Sequence, residues 1–434
     1  MIEMSPKIEK VHSRWVLDAR GLPTIETRIK SGDYEEFASV PSGASISKEE
    51  AAKAHDMGTK FMGHHVERAI ENVNNTLAPE IEGMDVFDQE GIDQKMIELD
   101  GTEKKTNLGA NSILSVSLAA LKTAACIKGE KNYAYIRQLL KKENDKYLIP
   151  LPITDLISGG KMHAGTELAM QEIVLMPTGA KHIDEAIRMS VEIYQTLKSI
   201  IKNRYGKSAT NTTHMGTFAP NLKTTSTVIQ LVISAARSIG YESKIKLGFD
   251  ASASNFYSEG KYHLDGLHKD KGEMIDYYLD LIKQYPIAFI EDPFKQGDFE
   301  SFSNLLANLP KDILLVGDDL TATSKKRMQR AVESKSTNAV LMKMDQVGTV
   351  TESLEFYTES VKKDMAVIVS HRYGETSDPF IADLSVAISN GFLKAGAPAR
   401  SDKTEKYNEL LRIKDNLKDR SRYPSNFRDY RDFI

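Results

Sequence analysis

The sequence predicts an α/β protein in which a small N-terminal α+β domain is followed by a (β/α) barrel. Three observations support the barrel. Short, almost continuous apolar runs recur along the last two-thirds of the chain, and this pattern is typical of parallel strands that are buried on both faces. Amphipathic segments with helical spacing separate the runs. The number of alternating units favours a parallel sheet that closes on itself.

The individual barrel elements can be assigned by residue range. The predicted strands lie at 245–249, 287–290, 313–316, 339–342, 365–369 and 391–393. The predicted helices lie at 181–204, 223–239, 272–284, 325–334 and 350–362. A doubly wound open sheet is the structural alternative, but no glycine-rich nucleotide loop follows any of these strands, so we favour the closed barrel.

Two segments that precede the regular units predict a β-hairpin at the start of the barrel. They lie at 151–157 and 168–176, on either side of the glycine-rich loop 158–165. If the second strand is antiparallel, its first residues lie at the rim where the parallel strands end. Gln171 and Glu172 are therefore expected beside Asp250.

The first 140 residues have a different pattern. Short β-like runs at 15–17 and 24–29 are followed by a segment with helical spacing at 102–122. A highly charged stretch at 130–146 leads into Ile149-Pro150-Leu151-Pro152, and this change in composition predicts a domain boundary. We place the α+β domain at 1–140 and the barrel domain, with the active site, at 141–434.

Composition excludes several classes of partner. The chain has 57 basic and 61 acidic residues and a net charge of −4, so nothing favours nucleic acid or an anionic membrane as a partner. Cys126 is the single cysteine and cannot form an intrachain disulfide. The first residues lack the apolar region of a signal peptide, and no run of about 18 apolar residues occurs. We therefore expect a cytoplasmic protein without a membrane span.

A charged or polar residue follows each predicted barrel strand. These residues are Asp250, Glu291 with Asp292, Asp318 with Asp319, Lys343, His371 with Arg372, and Lys394. One polar residue at a strand end is common, but six in succession would converge on the rim where barrel active sites are built. Crowded carboxylates must bind a cation or have raised pKa values. Oxygen ligands on rigid strands suit Mg²⁺, and no Cys/His cluster indicates zinc. A lysine close to that cation can act as a general base.

Several longer motifs extend over most of the chain. They include LDARGLPTIE at 17–26, VPSGAS at 40–45, LDGTE at 99–103, LGAN at 108–111, IEDPF at 290–294, GDDLT at 317–321, VSHR at 369–372 and KAGAP at 394–398. Together they resemble the enolase (phosphopyruvate hydratase) family. A lysine base beside a metal-stabilised enolate is the known chemistry of that superfamily, and it is not deduced from spacing here.

The resemblance implies a fold, an assembly and a substrate. The fold is an N-terminal α+β cap domain followed by an enolase-type (β/α)₈ barrel that opens ββαα. The cofactor is Mg²⁺, with two sites per subunit, and the assembly is a homodimer or an octamer. The substrate class is a small phosphorylated or phosphonylated carboxylic acid.

The resemblance also assigns roles to individual residues. Asp250, Glu291 and Asp318 would hold the first Mg²⁺, and Ser45 the second. Lys343 would remove the proton from C2, and Glu172 would support the acid side. The substrate-binding residues would be His163, Gln171, His371, Arg372, Tyr373 and Lys394.

One family motif is altered in this chain. The segment 213–220 reads THMGTFAP, and Met215 stands where the family has its general-acid glutamate. Ser158 replaces an asparagine, Tyr373 replaces a phosphate-binding serine, and the loop at 159–163 has one extra residue. These departures gather on the leaving-group and phosphate side of the site.

The altered motif leads to three hypotheses about activity. Because methionine has no proton to donate, the first is a Mg²⁺-dependent lyase that forms an enolate from a 2-phosphoglycerate-like acid with altered leaving-group chemistry. His214 or Glu172 would serve as the acid, and enolase-family members of phosphonate biosynthesis provide the analogy. The second is ordinary phosphopyruvate hydratase activity in glycolysis. The third is a catalytically silent enolase paralogue with a binding or scaffold role.

Overall fold

The computed structural model describes residues 6–43, 47–56, 58–161 and 164–423. The chain divides into two compact units. The first unit consists of residues 1–145, 342–359 and 371–388, and the second consists of residues 146–341, 360–370 and 389–434. The first unit therefore includes two segments that come late in the chain.

The first unit contains a three-stranded antiparallel sheet. Its strands are Lys10–Leu17, Pro23–Ser31 and Tyr34–Ser39, paired in sequence order. The β-like runs of the sequence lie within the first two strands. The last two are joined by a tight turn in which Gly32 has a φ of +58°, a conformation that glycine adopts without strain.

The long helix of the first unit begins later than the sequence predicts. The helix expected at 102–122 forms over Ala110–Ile127. The prediction was wrong for 102–109 because the Asp100 carboxylate accepts the backbone N–H groups of Thr102, Asn107 and Leu108, which holds this segment in turns. Side-chain capping of this kind competes with helix formation.

The same helix is apolar enough to be tested as a membrane span. Among the described residues, Ala110–Ile127 is the one helix with the required length and apolar character, at a mean hydropathy of 1.4. However, 83% of it is buried inside the protein, as expected for a core helix. The other helices of residues 1–145 are Glu67–Glu71, Ala78–Ile81, Gln89–Asp100 and Asn132–Leu139, with a π-helix at Asn72–Leu77.

Eight strands close into the predicted barrel. In chain order they are Leu151–Ser158, Glu172–Met176, Lys246–Asp250, Ile287–Glu291, Leu314–Gly317, Ala339–Met342, Ala366–Ser370 and Phe392–Gly396. The second strand is antiparallel to both of its neighbours. Two helices, Ile183–Tyr205 and Thr225–Ser238, then precede the third strand. The ββαα opening is therefore confirmed, as are the predicted hairpin and the six later strands.

The barrel has an apolar interior below its rim. Buried side chains from seven of the eight strands form one cluster, including Val174, Phe289, Val316 and Leu341. The later helices of the chain are Lys271–Gln284, Phe299–Asn308, Lys325–Glu333, Val350–Val361, Phe380–Ile388 and Ser401–Leu417. Several begin at a side-chain cap. Before Lys271, for example, Asp270 and Glu273 form a capping box.

Among the described residues of the second unit, two small sheets lie outside the barrel. Tyr257–Ser258, Lys261–Leu264 and Leu267–Lys269 form an antiparallel ribbon after the third barrel strand. Tyr147–Leu148 pairs in parallel with Ser421–Arg422. Short 3₁₀ segments occur at Lys60–Gly63, Lys207–Thr210, Glu242–Lys244, Ala253–Phe256, Met344–Gln346 and Lys418–Arg420.

Candidate active site

Three carboxylates lie side by side on adjacent strands at the barrel rim. Glu172 is the direct partner of Asp250 across the antiparallel pair. On its other side, Asp250 is the direct partner of Glu291 in the parallel pair. The antiparallel second strand therefore contributes its first residue to the same level at which the neighbouring strands end. This is the arrangement that the sequence predicted.

The ammonium group of Lys394 lies among these carboxylates. Its Nζ is 2.7 Å from Glu291 Oε2, 3.1 Å from Glu172 Oε2 and 3.6 Å from Asp250 Oδ2. All four side chains are almost completely buried. Burial alone would lower the pKa of Lys394, but the negative charges of Glu291, Glu172, Asp250 and Asp155 raise it well above its ordinary value.

Asp155 is a fourth buried carboxylate in this group, and it was not predicted from the sequence. Burial and the charge of Glu172 raise the pKa of Asp155 well above its ordinary value. Asp155 is an acidic residue within a strand that is buried along its whole length. A charged residue inside an apolar run was therefore the signal that could have revealed it.

A second acidic group lies just after the strand that ends at Glu291 and the strand that follows it, Leu314–Gly317. The carboxylate oxygens of Asp292, Asp318 and Asp319 lie within 4.8 Å of one another. The Asp292 carboxylate accepts the backbone N–H groups of Asp318 and Asp319, at 3.1 and 2.7 Å. Asp292 itself has a φ of +42°, a strained conformation for a non-glycine residue. The backbone at this strand end is therefore bent so that Asp292 organises the neighbouring turn.

Asp292 also connects the two acidic groups electrostatically. Burial and the charges of Asp319, Asp318, Asp250 and Glu291 raise its pKa well above the ordinary value. Carboxylates so crowded are stabilised by a cation. Oxygen donors on rigid strands are the ligands that Mg²⁺ prefers, so the residues present fit that metal.

The remaining predicted residues of the rim are placed as follows. Gln171 donates from Nε2 to Asp250 Oδ2 at 3.1 Å, and its Oε1 accepts a hydrogen bond from Asn255 at 3.2 Å. Gln171 therefore orients a predicted metal ligand. Lys343 directly follows the strand Ala339–Met342 and is 9% exposed. Ser45 and His163 lie outside the described residues.

Met215 is buried in a segment that also contains linked hydroxyl groups. Met215 is 2% exposed, and its backbone N–H donates to Thr213 Oγ1 at 3.1 Å. Thr217 Oγ1 lies 2.6 Å from Thr213 Oγ1 and 2.5 Å from Ser158 Oγ, which makes a chain of three hydroxyl groups. Ser158 is the strand partner of Glu172, and directly opposite residues project to the same face. The hydroxyl chain therefore ends beside Glu172.

Two further contacts fix this segment. Gly216 has a φ of +80°, and an added Cβ would lie 2.8 Å from the Ala399 carbonyl oxygen. The Tyr194 hydroxyl donates to the Gly216 carbonyl at 2.5 Å. His214, the other candidate acid, is half-buried. The structure thus places a thioether and hydroxyl groups where the family resemblance implies a carboxylic acid.

In the first unit, Arg372 belongs to a buried ionic network. Its guanidinium group contacts Glu50 at 2.5 Å and Asp345 at 2.8 Å, and Lys53 also contacts Asp345 at 2.6 Å. Burial would raise the pKa of Asp345, but Arg372 and Lys53 lower it below the ordinary value. His371 is buried beside Arg372, and the Tyr373 carbonyl accepts the Gly43 N–H at 3.0 Å. Glu50, Lys53 and Asp345 were not predicted from the sequence. Glu50 and Lys53 are distant from Arg372 in the chain, and Asp345 lies three residues beyond its strand rather than directly at the strand end.

These features are typical of (β/α)-barrel enzymes that carry a cluster of carboxylates suited to a metal cation. They are the barrel, its antiparallel second strand and its acidic rim. Comparison with known proteins narrows this class. The family model of the enolase C-terminal TIM barrel domain matches residues 146–430, and that of the enolase N-terminal domain matches residues 8–136. The chain belongs to the enolase family. It is a carbon–oxygen lyase related to phosphopyruvate hydratase.

Several similar proteins are named enolase. An enolase of Methanothrix thermoacetophila is 44% identical over 414 residues, which cover 95% of this chain and 97% of the relative. An enolase of Thermococcus gammatolerans is 44% identical over 422 residues, covering 96% and 97%. An enolase of Methanocaldococcus jannaschii is 44% identical over 412 residues, covering 95% and 96%.

Proposed function

We propose that the chain catalyses the reversible removal of water from 2-phosphoglycerate to give phosphoenolpyruvate. The relatives named enolase, at 44% identity over nearly the whole chain, support this ordinary activity better than the altered chemistry that Met215 predicts. The single observation that carries the proposal is the row formed by Glu172, Asp250 and Glu291 around Lys394. A binding or scaffold protein has no need of four buried charges at a barrel rim.

The proposed cofactor is Mg²⁺, with two sites in each subunit. Asp250, Glu291 and Asp318 would hold the first ion, and Ser45 would contribute to the second. When bound, the metal supplies positive charge next to the substrate carboxylate, where negative charge accumulates as the proton leaves. Gln171 keeps Asp250 oriented through its hydrogen bond of 3.1 Å.

The chain's own residues divide the reaction into two steps. In the first step, Lys343 accepts the proton from C2 and leaves the electron pair on the enolate. In the second step, the C3–oxygen bond breaks and the hydroxyl group accepts a proton, so that water departs. We propose that Glu172 is the donor and that it carries a proton for this step, because it is buried at the rim opposite Ser158 in the strand pair. Lys394 would bind the substrate carboxylate.

Met215 supports a second candidate function. A thioether cannot donate a proton, and Met215 is buried beside a neutral hydroxyl chain. Such a site suits a related phosphorylated or phosphonylated acid whose leaving group departs without a strong acid. Enolate formation would then be the same, and only the second step would differ.

We also propose a cytoplasmic homodimer. Trp15, Leu17 and Met62 are large apolar side chains that are exposed in the first unit, and Phe61 packs against Trp15 with ring centroids 5.6 Å apart. Clustered exposed apolar groups indicate a protein interface. Light scattering of the eluted protein is expected to give twice the chain mass. An octamer or a monomer would contradict this assignment.

One experiment tests the proposed activity. Purified protein is incubated with Mg²⁺ and 2-phosphoglycerate, and phosphoenolpyruvate is followed by ³¹P NMR while ¹H NMR in D₂O follows exchange at C2. Phosphoenolpyruvate formation supports the hydratase. Exchange without that product supports the second candidate, and the absence of both supports the silent paralogue. Glu291→Gln, which keeps the side-chain shape but removes the charge, is expected to abolish product formation.

A further inference from the structure

The ribbon that follows the third barrel strand holds two histidines face to face. The strands Lys261–Leu264 and Leu267–Lys269 pair so that His263 and His268 are directly opposite. They are joined by a two-residue turn, in which Asp265 and Gly266 have φ values of +53° and +77°. An Asp-Gly turn of this kind matches the twist of a hairpin and fixes its register.

The two imidazole rings meet through corresponding nitrogen atoms. His263 Nδ1 and His268 Nδ1 are 2.5 Å apart, and the ring planes make an angle of 82°. On the far side of its ring, His263 Nε2 lies 3.2 Å from the Ser258 carbonyl oxygen. A carbonyl only accepts, so His263 Nε2 carries the proton. In the neutral ring, Nδ1 then has a lone pair directed at His268.

We propose that His263 and His268 form a binding site for a divalent transition-metal ion of the Ni²⁺, Cu²⁺ or Zn²⁺ type. Without metal, the Nδ1 proton of His268 lies between the two rings. With metal, that proton moves to Nε2 of His268, and both Nδ1 lone pairs bind the ion. Water molecules complete the coordination.

The required movement is small. Metal–imidazole bonds are about 2.0–2.1 Å long, so two nitrogens in a tetrahedral arrangement lie about 3.3 Å apart. The rings therefore have to separate by about 0.8 Å. His268 is exposed and His263 is half-buried, so rotation of the side chains provides this movement without any change in the backbone.

The backbone beneath both histidines is already fixed. The Asp265 carboxylate accepts the Thr225 N–H at 3.0 Å and the Tyr277 hydroxyl at 2.7 Å. Tyr262, next to His263, is completely buried, and its hydroxyl accepts the Lys295 N–H at 3.2 Å. An ion therefore binds to an ordered hairpin, so little conformational entropy is lost on binding.

The ribbon site differs in chemistry from the acidic rim. Imidazole nitrogens favour Ni²⁺, Cu²⁺ and Zn²⁺, whereas carboxylate oxygens favour Mg²⁺. An excess of Mg²⁺ therefore occupies the rim without competing strongly at the histidines. This difference allows the ribbon site to be measured separately, and it does not depend on the proposed hydratase activity.

The test is a calorimetric titration of the full-length protein with Ni²⁺ in the presence of excess Mg²⁺. His263→Ala and His268→Ala are each expected to weaken Ni²⁺ binding by at least about tenfold, a loss that is seen even when an outer-shell partner of a metal ligand is removed. His12→Ala is the matched control, because His12 is an exposed histidine on the strand Lys10–Leu17 of the first unit. Equal affinity in the double variant His263→Ala/His268→Ala, or an equal loss in His12→Ala, would overturn the proposal.

A second measurement uses the unmodified chain, so it does not depend on the folding of variants. One equivalent of Cu²⁺ is added under the same conditions, and the EPR spectrum is recorded. Two coordinated nitrogens are expected. A spectrum typical of oxygen ligands alone would contradict the histidine pair.

Discussion

Two regions of the barrel unit lie next to each other but differ in chemistry. One is the acidic rim, where Glu172, Asp250 and Glu291 surround Lys394 within 2.7–3.6 Å. The other is the segment around Met215, whose polar groups include the linked hydroxyls of Ser158, Thr213 and Thr217. In the proposed reaction, charge in the first region would stabilise an enolate, whereas the second region has no carboxylic acid at the family position. We therefore propose that this chain is fully equipped for proton abstraction and that loss of the hydroxyl group is its weaker step.

The largest expected effect on activity comes from removing the proposed base, Lys343. Lys343→Ala is expected to lower turnover of 2-phosphoglycerate by about 10²–10⁴-fold, the usual contribution of a general base. Exchange at C2 is expected to fall equally, because both processes begin with the same proton transfer. Steady-state kinetics and ¹H NMR in D₂O measure the two effects. Lys326→Ala, an exposed lysine on the helix Lys325–Glu333, is the matched control. A variant Lys343→Ala that still exchanged its substrate normally would show that another group is the base.

A carboxylic acid placed at position 215 is expected to change the rate of the second step. Met215→Glu is expected to raise the rate of phosphoenolpyruvate formation by about 10²-fold, the lower end of the effect of a general acid. Exchange at C2 should change little. Met215→Gln is the control, since it adds polarity without a proton of suitable acidity. If Met215→Glu left the rate of product formation unchanged in a folded protein, the departing hydroxyl group would obtain its proton elsewhere.

The hydroxyl chain makes a prediction about stability. Thr217→Val keeps the side-chain shape but removes the hydroxyl that joins Ser158 to Thr213. Because the buried Ser158 hydroxyl and the half-buried Thr213 hydroxyl then lack this partner, the free energy of unfolding is expected to fall by about 1–3 kcal/mol. Urea denaturation measures the change. Thr227→Val, in an exposed hydroxyl pair with Thr224, is expected to change stability by less than about 0.5 kcal/mol. Equal effects of the two substitutions would mean that burial of the three linked hydroxyl groups contributes nothing to the free energy of unfolding.

The smallest expected effect comes from a buried lysine, Lys142, whose hydrogen-bond acceptors below are neutral, in contrast to the carboxylates around Lys394. Lys142 in the first unit donates to the Tyr357 hydroxyl at 2.6 Å and to the Ile388 carbonyl at 2.7 Å. Burial, and then the charge of Arg137, lowers the pKa of Lys142 to about 8. Above pH 8 the folded protein loses this proton while the unfolded chain retains it up to its ordinary pKa of about 10.4, so stability rises with pH over that range.

The prediction is a relative gain in stability of about 1 kcal/mol for the wild type between pH 7.5 and pH 9. The reference is Lys142→Met, which cannot titrate, and urea denaturation at both pH values gives the difference. A difference between wild type and variant that stays constant with pH would place the Lys142 pKa near its ordinary value.

Much of the fold could be predicted from the sequence, for a physical reason. Strands buried on both faces must be apolar throughout, so the last six barrel strands are visible as apolar runs. The antiparallel hairpin then places Glu172 opposite Asp250 by register alone. The start of the helix Ala110–Ile127 was not predictable from spacing, because the Asp100 carboxylate decides it through contacts to three backbone groups.

The parts of the site that could not be predicted depend on contacts between distant residues. Ser158 and Thr217 are 59 residues apart in sequence, and Glu50 and Arg372 are 322 residues apart. No periodic pattern relates such pairs. Asp155 is different, because its acidic side chain interrupts an apolar strand and was visible in the sequence.

The central claim is that proton abstraction is complete and that loss of the hydroxyl group is the weaker step. The most direct test measures both steps in one D₂O sample that contains the wild-type protein, Mg²⁺ and 2-phosphoglycerate. We expect deuterium to enter C2 faster than phosphoenolpyruvate forms, and we expect Met215→Glu to reduce the difference. Phosphoenolpyruvate formation at least as fast as exchange in the wild type, or no exchange at all, would contradict the claim.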